Sequence, residues 1–157
     1  MDDLALARAL HVLAIVHWIG GLAFVTLVVL PSRGKLDGAG RRLAAFEAVE
    51  GRFSSQAKVS VTLAGLTGFY MAHRMDVWDR FADPAYWWMA AMAVLWAIFS
   101  AVLFAAEPLF LHAWFRRRAA RDEDGTLTLV WRAHAVLLAA AFATVAGAVL
   151  GAHGNSF

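Results

Sequence analysis

Leu10-His11-Val12-Leu13-Ala14-Ile15-Val16-His17-Trp18-Ile19-Gly20-Gly21 is the stretch whose reading decides the fold. It lies inside an apolar run from about Leu4 to Leu30, and about 20 such residues suffice for a helix to cross a bilayer. Two histidines, a tryptophan and a glycine pair interrupt the leucines and valines that lipid would favour. Polar groups at membrane depth are costly and tend to mark function. The rest of the chain is read by asking what meets His11 and His17.

The whole sequence supports a membrane setting. Of its 157 residues, 61% are hydrophobic, against roughly 45–50% for a soluble domain. The excess is gathered in four long segments, which predicts a single polytopic membrane domain over 1–157. The first run is too long for the apolar part of a signal peptide, and no small-residue cleavage motif follows it, so it is expected to remain in the mature protein. No cysteine is present, which excludes disulfides, iron–sulfur clusters and thiolate zinc sites. The formal charge of +2 comes from clustered arginines. In a membrane chain such clusters report topology before they suggest nucleic acid.

The spans are expected at about 4–30, 55–75, 85–115 and 127–153, in an all-α bundle of four transmembrane helices. Pro31 should end the first. Between the first two, Leu43, Phe46, Val49 and Phe53 recur at helical spacing opposite Glu47, Glu50 and Arg52, which predicts a short amphipathic interfacial helix. Ser60, Ala64, Gly68 and Ala72 form a small-residue stripe suited to close helix packing. The third segment is longer than a span needs, and Pro108 offers it a kink. Arg33, Lys35, Arg41, Arg42 and Arg52 fill the first link, and Arg116, Arg117, Arg118 and Arg121 the third. The positive-inside rule therefore puts those links in the cytoplasm, and both termini and the 76–84 loop outside.

A rise of about 1.5 Å per residue gives each polar group a depth. With the first helix centred near His17 and the second near Gly65, His11 and His73 fall at similar depth in the outer half, with Met71, Met75 and His153 near by. Imidazoles at matched depth on separate helices are what a b-type haem needs above and below its iron. His11 and His73 are the expected axial ligands, and His153 is the substitute for the second. Trp18 stands seven residues from His11 on nearly the same face, and with Gly21 it is expected on the cofactor side. Glu107, His112 and His134 form an inner group with Arg132 at its edge. His17, Glu107 and His134 are expected as a secondary polar path or second metal site. For each histidine the competing expectation is a plain hydrogen bond to a neighbouring helix, and for Glu107 it is a basic partner such as Arg116 or Arg132.

Leu10-His11, then Trp18-x-Gly20-Gly21-Leu22, opening a four-helix membrane protein, resembles the copper-resistance D (CopD-like) superfamily and the related haem-binding J-type protoporphyrinogen oxidases. Phe46-Glu47-x-x-Glu50-x-Arg52-Phe53 resembles the charged stretch that enters their second helix. The resemblance implies a haem-binding role for His11. The J-type oxidases carry a lysine early in the third helix, where this chain reads Trp87-Trp88-Met89-Ala90-Ala91-Met92, so the implied property is haem binding rather than porphyrinogen oxidation.

The expected function is therefore a membrane-embedded haem b protein, with one haem or two, serving electron transfer or haem-linked redox chemistry. It would sit in the lipid of a bacterial-type inner membrane as a homo-oligomer or a subunit of a respiratory assembly. Its partner would be a redox protein or a quinone, and not nucleic acid. The alternatives are a CopD-like copper transporter and a non-catalytic structural subunit.

Overall fold

Asp2 opens the first helix by accepting a hydrogen bond from the Leu4 N–H at 3.1 Å, which satisfies one of the amides a helix start leaves orphaned. The computed structural model describes residues 2–32 and 41–152, the side chains of 41–43 excepted. His153, like Arg33 and Lys35, lies outside the described residues. Four long helices follow one another: α1 over Asp3–Ser32, α2 over Arg41–Arg74, α3 over Pro84–Ala119 and α4 over Glu123–Ala152. The described residues contain no strand. α1, α3 and α4 are long and apolar enough to cross a membrane.

α2 is one continuous helix of 34 residues. The amphipathic stretch 41–53 is its first part, not a separate interfacial helix. No proline separates the two parts, and the Ser55 hydroxyl donates back to the Gly51 carbonyl at 3.2 Å across the junction. α2 has the length of a span, but Ser54, Lys58, Ser60 and Thr67 lower its apolar content. Three of these, Ser54, Ser60 and Thr67, are buried. Its far end closes with the Val77 N–H on the Ala72 carbonyl and the Asp76 N–H on that of His73, both 3.2 Å. Asp76 takes the left-handed φ of 51° that this closure requires.

Both prolines inside helices coincide with widened turns. α1 widens over Val25–Val29, where the Leu30 N–H reaches five residues back to the Val25 carbonyl, and then runs one residue past Pro31. α3 widens over Ala101–Leu111, which contains Pro108. A proline ring crowds the carbonyl four residues before it and offers no N–H. A wide turn removes that clash without ending the helix.

α4 begins at Glu123, earlier than its apolar run, because Asp122 caps it by accepting from the Gly125 N–H at 2.9 Å. The Thr126 hydroxyl adds a 2.6 Å bond to the Asp122 carbonyl. Asp122→Ala is expected to lower stability by about 1 kcal/mol, read as a fall in the thermal unfolding midpoint in detergent.

The helices pack on two clusters. Trp18, Leu22, Val61, Phe99 and Leu138 fill the middle, with Trp18 and Phe99 edge to face at 4.7 Å. Val25, Leu30, Phe46, Phe115 and Leu127 fill the end where α3 terminates. Outward, Leu13, Val16, Leu66, Leu109 and Val136 are each more than 60% exposed. Large apolar side chains turned outward on all four helices are what a lipid solvent favours.

Candidate functional site: the His11 cavity

α1 and α2 run antiparallel in a register fixed by side-chain contacts along their length. Asp3 accepts from the Tyr70 hydroxyl at 2.8 Å and pairs with Arg74 at 2.9 Å. His11 lies against Ala64, Thr67 and Gly68. His17 is hydrogen-bonded to Ser60 at 2.8 Å. Gly21 lies where an added Cβ would strike the Phe53 ring.

Beside His11 a cavity of about 410 Å³ opens between α1, α2, α3 and α4. Trp18, Phe69, Trp96 and Phe99 give it aromatic walls, and Met71, Met75, Met89 and Met92 line it too. Two cations border it, Arg8 and Arg80, the latter stacked over the Tyr86 ring at 4.7 Å. Glycines make the room. An added Cβ at Gly68 would stand 3.0 Å from the His11 ring, and one at Gly65 would stand 2.5 Å from the Trp96 indole nitrogen. That close approach lets the Trp96 N–H donate to the Val61 carbonyl at 2.9 Å.

The hydrogen bonds of His11 define its chemistry. Nδ1 is 2.9 Å from the Ala64 carbonyl, an atom that can only accept. Nδ1 is also 3.1 Å from the Thr67 hydroxyl oxygen, whose own proton goes to the Leu63 carbonyl at 2.6 Å. Both partners therefore accept, and Nδ1 carries the proton. Nε2 is left with a lone pair on a ring whose orientation is fixed. A backbone carbonyl holding one imidazole nitrogen while the other stays free is the usual support of a metal-ligating histidine.

The structure brings His11 and Trp18 to the cavity and leaves His73, Gly21, His17, Glu107 and His134 elsewhere. His73 is exposed and does not line it. His11 stands level with residues 64–68, so His73 falls level with the first turn of α1, about 7 Å or more beyond Gly68 along the axis. Gly21 packs at Phe53 instead. His17, Glu107 and His134 do not assemble. His134 donates from Nδ1 to the Val130 carbonyl of its own helix at 2.9 Å, and no cluster of three His, Cys, Asp or Glu that could hold a metal occurs among the described residues.

Glu107 is a buried crosslink of α3 to α2. It accepts from the Ser54 hydroxyl at 2.6 Å and lies 3.4 Å from Lys58 and 3.6 Å from His112. Arg116, one expected partner, pairs with Glu47 at 3.1 Å. Glu50, ahead of the apolar part of α2, has its carboxyl pushed above the usual range by burial, with the Glu107 charge adding to it.

The sequence reading missed Trp96, Arg8, Arg80 and Met92. Two signals were there to find. Trp96 sits in the middle of an apolar run rather than at an interface, and Arg8 stands one turn before His11. Comparisons with protein-family models, with curated proteins and with solved structures find no match to the chain.

Proposed function

We propose that this chain is a four-span membrane protein that holds a haem b on His11 and passes single electrons to a redox protein or quinone. The observation that carries the reading is that both neighbours of His11 Nδ1 accept, and that His11 lines a cavity of about 410 Å³. When bound there, haem would supply a one-electron iron couple. The Ala64 carbonyl and the Thr67 hydroxyl would hold the His11 ring in place. Arg8 and Arg80 would supply positive charge for the propionates, and Trp18, Phe69 and Trp96 would keep water from the bound group. The likeness to CopD-like and J-type proteins at His11, Trp18 and Gly20-Gly21 points the same way.

α2 completes the four spans in this reading. Its polar side chains Ser54, Ser60 and Thr67 have partners inside the bundle, while Val59 and Leu66 are turned outward. The basic residues then set both termini and the cavity on the outer side of a bacterial-type plasma membrane, where the chain works alone, as a homo-oligomer or within a respiratory complex.

The four cavity methionines favour one second reading, a copper site, because thioethers are soft ligands suited to Cu(I). The absorption spectrum of the purified protein, oxidised and then reduced, separates the two. A Soret band with a sharp α-band on reduction, and haem in a pyridine assay, is the expected result. A colourless protein carrying copper would establish the second reading. A colourless, metal-free protein that also fails to take up added hemin or Cu(I) would leave only a structural role.

A further inference from the structure

Among the described residues that line the cavity His11 is the one histidine, and the donor the others offer to the side of the iron opposite it is a thioether. α2 and α3 are antiparallel and their register is fixed at two points. Ser54 bonds Glu107, and the Trp96 N–H bonds the Val61 carbonyl beside Gly65. One turn outward from Gly65 is Gly68, the residue against which the His11 ring lies. One turn outward from Trp96, on the same face of α3, is Met92. Met92 therefore stands level with His11, and both line the cavity. Met89 lies about one turn farther out on α3, level with Met71 on α2, and Met75 lies beyond that. From α4 the described lining residues Ala141, Thr144, Val145 and Ala152 offer no side-chain nitrogen or sulfur.

We infer that the Met92 sulfur is the second axial ligand, facing His11 Nε2 across the cavity. This inference rests on the haem reading of the same cavity. Methionine suits the position because it is unbranched and adapts its torsions to reach a fixed point. Its neutral thioether opposite an imidazole raises the reduction potential above that of a bis-histidine pair. The site would thus be tuned to accept electrons from a weaker reductant than a bis-imidazole haem requires.

The test uses the full-length protein with its haem, or loaded with hemin, in detergent. The wild-type ferric spectrum is expected to show the weak thioether-to-iron charge-transfer band at the red end of the visible range. Met92→Leu is expected to lose that band and turn high-spin while keeping its haem on His11. Met92→His is expected to stay low-spin, lose the band and shift the midpoint potential downward. Met71→Leu, Met75→Leu and His73→Ala should keep the band. The inference is overturned if the wild type lacks the band, if both Met92 variants keep the wild-type spectrum, or if His73→Ala or His153→Ala converts the iron to high spin. Those outcomes leave a haem protein with a different ligand. A wild-type chain that takes up no haem overturns the haem reading itself, and this inference with it.

Discussion

His11→Ala is expected to abolish haem binding while leaving the helices intact. The variant should be colourless after purification and should not recover a Soret band on addition of hemin, yet keep the helical circular dichroism of the wild type. The expectation follows from His11 lying outside both packed clusters, its ties to α2 being hydrogen bonds to Ala64 and Thr67. It is partly exposed at the cavity, whereas the packing of α1 on its neighbours runs through Trp18 and Leu22. Thr67→Ala should act in the same direction and less strongly. It removes one of the two acceptors on Nδ1 and leaves the Ala64 carbonyl, so a loss of about 10–100-fold in haem affinity is expected. If His11→Ala keeps its haem spectrum, the cavity assignment is wrong.

Glu107→Ala should produce the largest loss of stability. The carboxylate is buried and accepts from Ser54 while facing Lys58. Removing one partner of a buried ion pair typically costs about 3–5 kcal/mol, because the other charge stays behind. Lys58 is about one-third exposed and can turn toward water, so about 2 kcal/mol is the expected cost after that screening. Glu107→Gln should recover part of it, since the amide oxygen can still accept from Ser54. The measurement is unfolding in mixed micelles. Equal midpoints for the wild type and both variants would show that the crosslink contributes nothing to stability.

The four helices were legible because their apolar runs are long and their breaks carry turn residues. Asp83-Pro84 and Asp122 at the helix starts, and Asp76 past the end of α2, mark them in the sequence. The register between helices was not legible. Centring α2 on Gly65 assumes that its apolar run is its membrane-crossing part. The helix instead starts at Arg41, and the residue that meets His17 is Ser60. Five residues of offset are about 7.5 Å, enough to carry His73 out of reach of His11. The partner of Glu107 was hidden for a similar reason. Arg116 and Arg132 are close to it in sequence or expected depth, but Lys58 shares its level on the neighbouring helix. That Trp18 shares a face with His11 was legible because it needed only the geometry of one helix.

The widened stretch of α3 has a consequence for how the molecule can vary. A regular helix of eleven residues makes about three turns, and the wider winding of a π-helix over the same length makes roughly half a turn fewer. The residues before Ala101, which wall the cavity, and those after Leu111, which carry Phe115 to Phe46 and Arg116 to Glu47, therefore have separate rotational phases. Deleting a residue within 101–111 would re-aim only the second set. The two ends of one helix can thus be altered independently, the end that walls the cavity and the end that packs on α2, with Pro108 between them.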